Sequence, residues 1–495
     1  MTMTRRQSLG GISAVALANL VACNRVETPG SAEDIKKLDG IAQAELVKNG
    51  HMSAREAVEA ALERIAAVDD KLNAFVDVAP DLALEAADKV DLDAPLAGLP
   101  FALKDLNNYP GMKFERGSAM FKGAVGDGKT PYTQKIDASG VVIVGKTSTP
   151  EFGLLGTTEP LAYKPCRNPW NTGHSSGGSS GGAAAAVAAR IMPIAQASDG
   201  GGSIRHPASC CGIYGLKPSR GRFPDQGNPA RAIEISIKHA VSLSVRDNAL
   251  MLALTEEKDG PLEPVGLVSP GNVSRKRIAV TINDLGGNAP HRDVVAAVER
   301  YAGLLEELGH DVEMVERGPE LPTDIYDEFI ILWGESVVPI VQAASQMSGM
   351  PARESGLLEG WTLDVADQYG AIDQARIDLG MQRLNALGAQ LRYWLENYDA
   401  WLTPATAMPA PELGWTRGDL PFDQNMARSS LLVGHHSLHN VAGTPGASIP
   451  AGFSGGLPIG VQLSGRMGSE RTLLELSYQL EEAAPWMDRM PEIAG

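Results

Sequence analysis

Two glycine- and serine-rich runs lie close together near the middle of the 495-residue chain. The first, "GHSSGGSSGG", begins at Gly173 and continues directly into the apolar stretch "AAAAVAARI", and the second, "DGGGSIRHP", begins at Asp199. Runs of this composition are commonly flexible linkers, but linkers do not ordinarily lie between buried elements, and these two are too close to bracket a domain. Because glycine lets backbone amides approach a ligand closely, the runs indicate a site where a serine hydroxyl does chemistry.

The familiar glycine-rich motifs do not account for these runs. A phosphate-binding loop needs a lysine directly after its glycines, and a dinucleotide fingerprint needs a strand before it and an acid after it. The sequence also lacks a G-x-S-x-G elbow preceded by a strand, so the hydrolase fold built on that elbow is unsupported. What remains is a serine nucleophile of another kind, which needs a base to remove its proton.

Either a histidine or a lysine could serve as that base. Lys104 follows the apolar stretch "PFAL", where burial would have to lower its pKa by several units from about 10.4. A strand-end lysine in solvent is the competing interpretation of Lys104, so the residue types alone leave both bases open. The candidate histidines are His174, His206, His310, His435, His436 and His439.

Longer motifs around these residues resemble the amidase signature family, the serine hydrolases with a Ser-Ser-Lys triad. They are "KDL" at Lys104, "GGSSGG" at 177–182 and "DGGGSIRHPASCCGIYGLKPSRGR" from Asp199. The separations of 75 residues from Lys104 to Ser179 and 24 residues from Ser179 to Ser203 are typical of that family. Together with "GKTSTPEFG", "NPWN", "YDAWLTPATAMPAP" and "AGTPGASIPAGFSGGLPIGVQLSGR", the resemblance covers about residues 38 to 485.

The resemblance implies a role for each member of the triad. Ser203 would be the nucleophile, Ser179 the bridging serine that relays protons, and Lys104 the general base that later returns a proton to the leaving amine. It also implies a cis peptide bond between Gly178 and Ser179. The expected oxyanion hole consists of the backbone amides of Gly200, Gly201, Gly202 and Ser203.

The second run also departs from the family pattern. Gly200 stands where the family often has a bulkier residue, which affects the fine geometry of the oxyanion hole but not the mechanism. We expect Asp199 and Arg205 to brace this loop rather than to touch substrate. Structural or packing roles are predicted for His174, His206, Cys210, Cys211 and Lys217.

The implied function is hydrolysis of a carbon–nitrogen bond in a small, non-peptide or modified amide through an acyl-enzyme, without a metal or organic cofactor. Within the family the chain most resembles bacterial enzymes that act on cyclic amide oligomers such as the 6-aminohexanoate cyclic dimer, on peptide C-terminal amides or on aryl amides. Two alternatives are the A-type subunit of glutamyl-tRNA amidotransferase and a catalytically silent, lipid-anchored binding protein.

The elements around the motifs predict an α/β fold. "PFALKDL", "GVVIVGK" and "RIAVTI" have the continuous apolar character of buried strands, and the nearly all-apolar 181–191 predicts a buried helix. Ser53 and Glu56 form a capping box that starts a helix running to about Val68. The resemblance implies the amidase signature fold, a central mixed twisted β-sheet covered by helices on both faces.

The predicted organisation is a single amidase domain over residues 38–485, followed by a C-terminal tail at 486–495. The domain begins with helices over 38–70. A mostly helical region at 324–397, broken at Gly334, Pro339 and Pro351, is expected to form one wall of the pocket. Substrate choice is expected to depend on residues 324–440.

Composition limits the class of partner. The formal net charge of −17 makes the chain repel phosphate backbones, and with aromatics at only 5% there are few rings to stack on bases. Nucleic acid is therefore not expected as a partner. The four cysteines, Cys23, Cys166, Cys210 and Cys211, show no zinc-site spacing and predict no disulfide framework.

The N-terminal residues resemble an export signal. "TRRQSLG", with Arg5 and Arg6, resembles a twin-arginine motif, and the apolar stretch after it is shorter than the roughly 20 residues that span a bilayer. "LVAC" resembles a lipobox ending at Cys23. Residues 1–23 are therefore predicted to be the signal and 24–37 a tether, which gives an exported, periplasmic protein whose membrane contact is a lipid on Cys23. An ordinary N-terminal helix is the alternative interpretation of these residues. Export would also disfavour the amidotransferase subunit, because that complex works in the cytoplasm.

Export can be tested by fractionating cells that express the full chain. We expect the wild type in the membrane fraction and Cys23→Ala in a soluble form, because the substitution removes the thiol that would carry the lipid. A wild-type protein found soluble in the cytoplasm would contradict the predicted localisation.

Overall fold

A computed structural model describes residues 35–224, 233–285, 287–316, 318–319 and 325–495. The predicted export signal and all but the last residues of the predicted tether lie outside the described residues. Among the residues that are described, each helix is too short or too polar to cross a bilayer.

In the described ranges the strands form one sheet of three and one sheet of eight. In chain order they are β1 Phe75–Val78, β2 Pro100–Lys104, β3 Val142–Thr147, β4 Ile194–Asp199, β5 Tyr214–Lys217, β6 Ile237–Ser242, β7 Arg277–Val280, β8 Asp311–Met314, β9 Ala400–Pro404, β10 Gly446–Ser454 and β11 Leu457–Ser464.

Helices follow or separate most of these strands. They are α1 Gly40–Lys48, α2 Ala54–Leu72, α3 Pro80–Ala87, α4 Pro131–Ala138, α5 Gly181–Ala188, α6 Arg205–Cys211, α7 Val245–Thr255, α8 Arg292–Glu307, α9 Phe329–Ser348, α10 Ala352–Ser355, α11 Gly360–Gly370, α12 Gln374–Leu395, α13 Phe422–Val433, α14 His436–Ala442 and α15 Glu470–Ala483. Short 3₁₀ turns lie at Ala119–Phe121, Glu151–Gly153, Ile325–Glu328 and Glu492–Ala494.

The large sheet is mixed, as predicted. Its order is β4-β6-β5-β10-β11-β9-β7-β8; β7 is parallel to both of its neighbours and the other pairs are antiparallel. The small sheet has the order β1-β3-β2, with β2 parallel and β1 antiparallel to β3. The α/β class is therefore confirmed.

Strand β11 shows how both faces of the large sheet are covered. Ile459, Val461 and Leu463 belong to the main apolar core, which also includes side chains of α7, α8 and α15. The alternate residues face α6: Gln462 accepts a hydrogen bond from Arg205, and a Cβ on Gly460 would lie 2.9 Å from the Ser209 hydroxyl. This two-residue alternation is what a sheet buried between two helical layers requires.

The first glycine-serine run is packed rather than flexible. Every residue of α5 is buried, and a Cβ added to Gly178 would lie 2.2 Å from the carbonyl oxygen of Thr157. The glycines are needed because the run passes this close to neighbouring backbone. The interpretation of this run as part of a site, not a linker, is therefore supported.

The end of α2 differs from the prediction. The capping box of Ser53 and Glu56 is present, but α2 continues to Leu72 and ends at Asn73, which has a φ of 53°. The acidic pair Asp69–Asp70 does not end the helix; instead, the Asp69 carboxylate accepts the N–H of Ala74 beyond the helix end, at 2.7 Å. The stop signal is thus the left-handed asparagine.

The predicted breaks at Gly334 and Pro339 are wrong, because both residues lie inside α9. A Cβ on Gly334 would lie 2.2 Å from Cγ of Tyr369, so this glycine lets α11 pack closely against α9. The break near Pro351 is confirmed, since α9 ends at Ser348 and Pro351 caps α10.

Residues 486–495, predicted as a tail, pack against the rest of the chain. Trp486 is buried, and its indole N–H donates to the carbonyl of Leu243 at 2.8 Å. The cysteines among the described residues are buried and free, as expected from their spacing: Cys166, Cys210 and Cys211.

A matched pair of glycine substitutions tests the packing around α5. A Cβ on Gly182 would lie 2.4 Å from the backbone nitrogen of Ser148, whereas a Cβ on Gly303 of α8 meets no described atom within 4 Å. Gly182→Ala should lower the free energy of unfolding by about 1–3 kcal/mol through overpacking. Gly303→Ala should raise it by about 0.5–1 kcal/mol through helix propensity. Denaturant titration of both variants measures the difference, and equal effects would contradict this description of α5.

Candidate active site

The site forms where the two sheets approach each other. Lys104 is the last residue of β2, and its backbone N–H donates to the side-chain oxygen of Gln196 on β4 at 3.1 Å. Ser198 and Asp199 end β4. The ends of two apolar strands therefore deliver a lysine and a serine to one place.

The Lys104 amine is fully buried and surrounded by hydroxyl groups. Its Nζ lies 2.7 Å from the Oγ of Ser179, 3.0 Å from that of Ser180 and 3.1 Å from that of Ser198. Burial lowers the pKa of Lys104 from about 10.5 to about 7, although the negative charge of Asp199 opposes the shift. Near neutral pH a large share of this amine is therefore uncharged and can accept a proton.

Ser179 is held by the glycine run that precedes α5. The peptide bond between Gly178 and Ser179 is cis, as the resemblance implied. The N–H of Ser180 donates to the carbonyl of Ser203 at 3.3 Å, which joins this run to the second one.

Ser203 lies in the turn between β4 and α6. Ser179 and Ser203 both line a cavity of about 190 Å³, together with Ser198 and the backbone of Gly200 and Gly201. The structure thus brings Lys104 and both predicted serines to one centre, with the amine behind Ser179 and the cavity in front.

One of the four predicted oxyanion-hole amides is already engaged. The N–H of Gly202 donates to the carboxylate of Asp199 at 2.7 Å, so this part of the prediction needs correction. In the described part of the chain, the remaining amides make no hydrogen bond as donors: Gly200, Gly201 and Ser203.

Asp199 organises the whole turn. Besides Gly202, its carboxylate accepts the N–H of Ile204 at 3.1 Å, two guanidinium N–H groups of Arg205 at 3.0 Å and the amide of Asn440 at 2.9 Å. Burial alone would raise the pKa of Asp199, but Arg205 holds it well below its usual range. The bracing role expected of Asp199 and Arg205 is confirmed.

The candidate histidines do not reach the serines. Among the described contacts, none of the six hydrogen-bonds to Ser179 or Ser203; His310 pairs with Gln479 and His439 with Thr444. Burial lowers the pKa of His206 and of His435 to about 4. The geometry therefore favours Lys104 as the base.

Sequence reasoning missed two contacts of the amine, those with Ser180 and Ser198. Ser180 adjoins Ser179 in the "GGSSGG" motif, so its proximity could have been inferred. Ser198 lies on a different strand from Lys104, and nothing in the local sequence indicates that the two strand ends meet.

Among the described residues, no group of three or more His, Cys, Asp or Glu side chains is placed to hold a metal ion.

Comparison with known proteins finds similar proteins over nearly the whole chain. The model of the amidase family matches residues 56–474. AmiC of Mycobacterium bovis is 36% identical over 457 residues, which cover 91% of this chain and 95% of AmiC. A substrate complex of 6-aminohexanoate cyclic dimer hydrolase matches with a TM-score of 0.84 and 29% identity, covering 93% of this chain and 100% of the other. A bacterial aryl acylamidase of the amidase signature family matches with a TM-score of 0.82 and 28% identity, covering 93% and 99%.

The family-model match includes the segments that carry Lys104, Ser179 and Ser203, and the two solved structures share the overall fold of this chain. The chain therefore belongs to the amidase signature family and is an amide-hydrolysing enzyme.

Proposed function

We propose that the enzyme cleaves a small carboxamide through an acyl-enzyme on Ser203, with Ser179 and Lys104 moving the protons. The observation that carries this proposal is the 2.7 Å contact between the fully buried Lys104 amine and Ser179, which shares a cavity with Ser203. A buried amine with a pKa near 7 is matched to proton transfer at neutral pH.

The hydroxyl contacts support one direction of proton transfer. A neutral amine has a lone pair and needs one neighbouring hydroxyl to donate to it. Ser180 already donates to the carbonyl of Ser198 at 3.0 Å, whereas Ser179 has the shortest contact with the amine. Ser179 then donates to Nζ of Lys104, and its oxygen is left to accept the proton of Ser203.

In the first half of the reaction the Ser203 oxygen attacks the amide carbonyl carbon, and its proton passes through Ser179 to Lys104. The carbonyl oxygen becomes negative and is stabilised by free backbone amides of the 200–203 turn, where each donor contributes about 10²–10³-fold to the rate in comparable sites. When the carbon–nitrogen bond breaks, Lys104 returns the proton through Ser179 to the leaving amine.

In the second half a water molecule attacks the ester carbonyl of the acyl-enzyme. Its proton follows the same path to Lys104, and the proton then returns to the Ser203 oxygen as the ester bond breaks. The products are a carboxylic acid and an amine, and the enzyme regains its starting protonation state.

Substitution of the nucleophile tests this proposal. Ser203→Ala should abolish covalent labelling by a fluorophosphonate probe and lower kcat at least about 10⁴-fold, because no acyl-enzyme can form. Ser336→Ala is a matched control, since Ser336 also lines the cavity but its hydroxyl donates to the Trp333 carbonyl. Undiminished hydrolysis by a folded Ser203→Ala would overturn the acyl-enzyme.

The pKa of Lys104 predicts how the rate depends on pH. The protonated amine cannot accept a proton, so kcat/KM should rise about tenfold per pH unit below pH 7 and level off above it. Lys104→Arg keeps a charge throughout this range and should be inactive at every pH, with circular dichroism checking its fold. A rate that is constant from about pH 5.5 to 8.5 would contradict Lys104 as the base.

A further inference from the structure

Two helices each turn one face towards the cavity. From α9 the lining residues are Phe329, Leu332, Trp333 and Ser336, and from α13 they are Met426, Ser429, Ser430 and Val433. Both sets follow the spacing of one helical face, at intervals of three, four and seven residues. Among the described residues of the wall predicted at 324–397, those that line the cavity lie within 326–336, and a second part of the wall comes from 426–437.

The wall is apolar where these helices meet the segment after β3. Leu154 and Leu155 of that segment line the cavity and pack in one apolar cluster with Trp333 and Met426. The serines and free amides of the catalytic centre line the same cavity. The cavity therefore combines the polar groups that an amide bond needs with a wall suited to a hydrocarbon group.

Aromatic packing fixes the position of Trp333 in this wall. Its ring lies 5.9 Å from that of Trp361 in an edge-to-face arrangement and 5.6 Å from that of Phe329. Such pairs hold a ring in one orientation. Trp333 is only half-buried, so part of its surface faces the cavity and is available to a ligand.

The volume indicates the size of the group that fits. The cavity measures about 190 Å³, and a cavity of about 150 Å³ lined by apolar side chains is sufficient to bind benzene. We propose that the substrate is a carboxamide carrying one apolar group about the size of a benzene ring, and that Trp333 is a specificity-determining residue for it. This inference rests on the proposed acyl transfer at Ser203.

Matched amides test the inference with the full-length protein. Phenylacetamide against acetamide places the ring on the acyl side, and N-benzylacetamide against N-methylacetamide places it on the amine side. Each pair keeps the reactivity of the amide nearly constant. We expect kcat/KM to be at least about tenfold higher for the ring-bearing member of one pair, and that pair shows which side of the amide occupies the wall. Equal values in both pairs would overturn the inference.

Variants of the wall test the role of Trp333. Trp333→Leu should lower kcat/KM for the preferred ring-bearing amide about tenfold or more while changing that of its small partner much less, and Trp333→Phe should retain part of the preference. Ser345→Ala, on the same helix but outside the cavity lining, should leave the preference intact. If Trp333→Leu does not fold, Met426→Ala removes apolar surface from the facing helix and should reduce the same preference. A folded Trp333→Leu with unchanged preference would overturn this assignment.

Labelling separates this inference from the proposed function. If the fluorophosphonate probe labels Ser203 and small amides are hydrolysed without a preference for the ring, the inference fails and the acyl-enzyme stands. If Ser203 is not labelled and Ser203→Ala hydrolyses amides at the wild-type rate, the proposed function itself fails.

Discussion

The site depends on one amine that the fold removes from water. Lys104 ends a fully buried strand, and the polar partners of its amine among the described residues are three neutral serine hydroxyls, none of which carries a negative charge. The carboxylate of Asp199 favours the charged form of the amine, but this carboxylate already accepts hydrogen bonds from Arg205 and from backbone amides. The positive charge of Arg205 offsets much of the negative charge of Asp199. The loss of hydration is therefore the larger effect on the pKa of Lys104, and it lowers that pKa.

The same pairing shapes the turn that carries Ser203, the proposed nucleophile. Asp199 receives donors from the residues just after it and from Asn440 on α14, so the turn is fixed at both ends. The first glycine-serine run is closely packed: side chains at Gly177, Gly178 and Gly182 would collide with backbone. In the second run the close neighbour is the His436 side chain, which a Cβ on Gly202 would meet at 2.7 Å. Glycine here permits close packing, although the same composition in a solvated chain would produce flexibility.

Much of the candidate site could be predicted because its signals are local. Lys104, Ser179 and Ser203 lie in short motifs, and the cis peptide bond followed from the resemblance that those motifs carry. The contact of Lys104 with Ser198 could not be predicted, because it depends on how two sheets meet. The hydrogen bond from the Gly202 amide to the Asp199 carboxylate was not predicted, because it depends on how a side chain three residues earlier is oriented. Gly334 and Pro339 suggested breaks in α9, but close packing against Tyr369 accounts for the glycine within an unbroken helix.

Two helices far along the chain contribute to the lining of the cavity. The proposed reacting groups lie between Lys104 and Arg205, whereas α9 and α13, more than a hundred residues later, supply a large part of the aromatic and aliphatic surface. The rest of that surface includes Leu154 and Leu155. Under the proposed mechanism, replacements at the cavity-facing positions of those helices would change which molecule fits while leaving the hydrogen bonds of Lys104 in place. The same reacting groups would then act on different substrates in variants that differ only at the lining positions of α9 and α13.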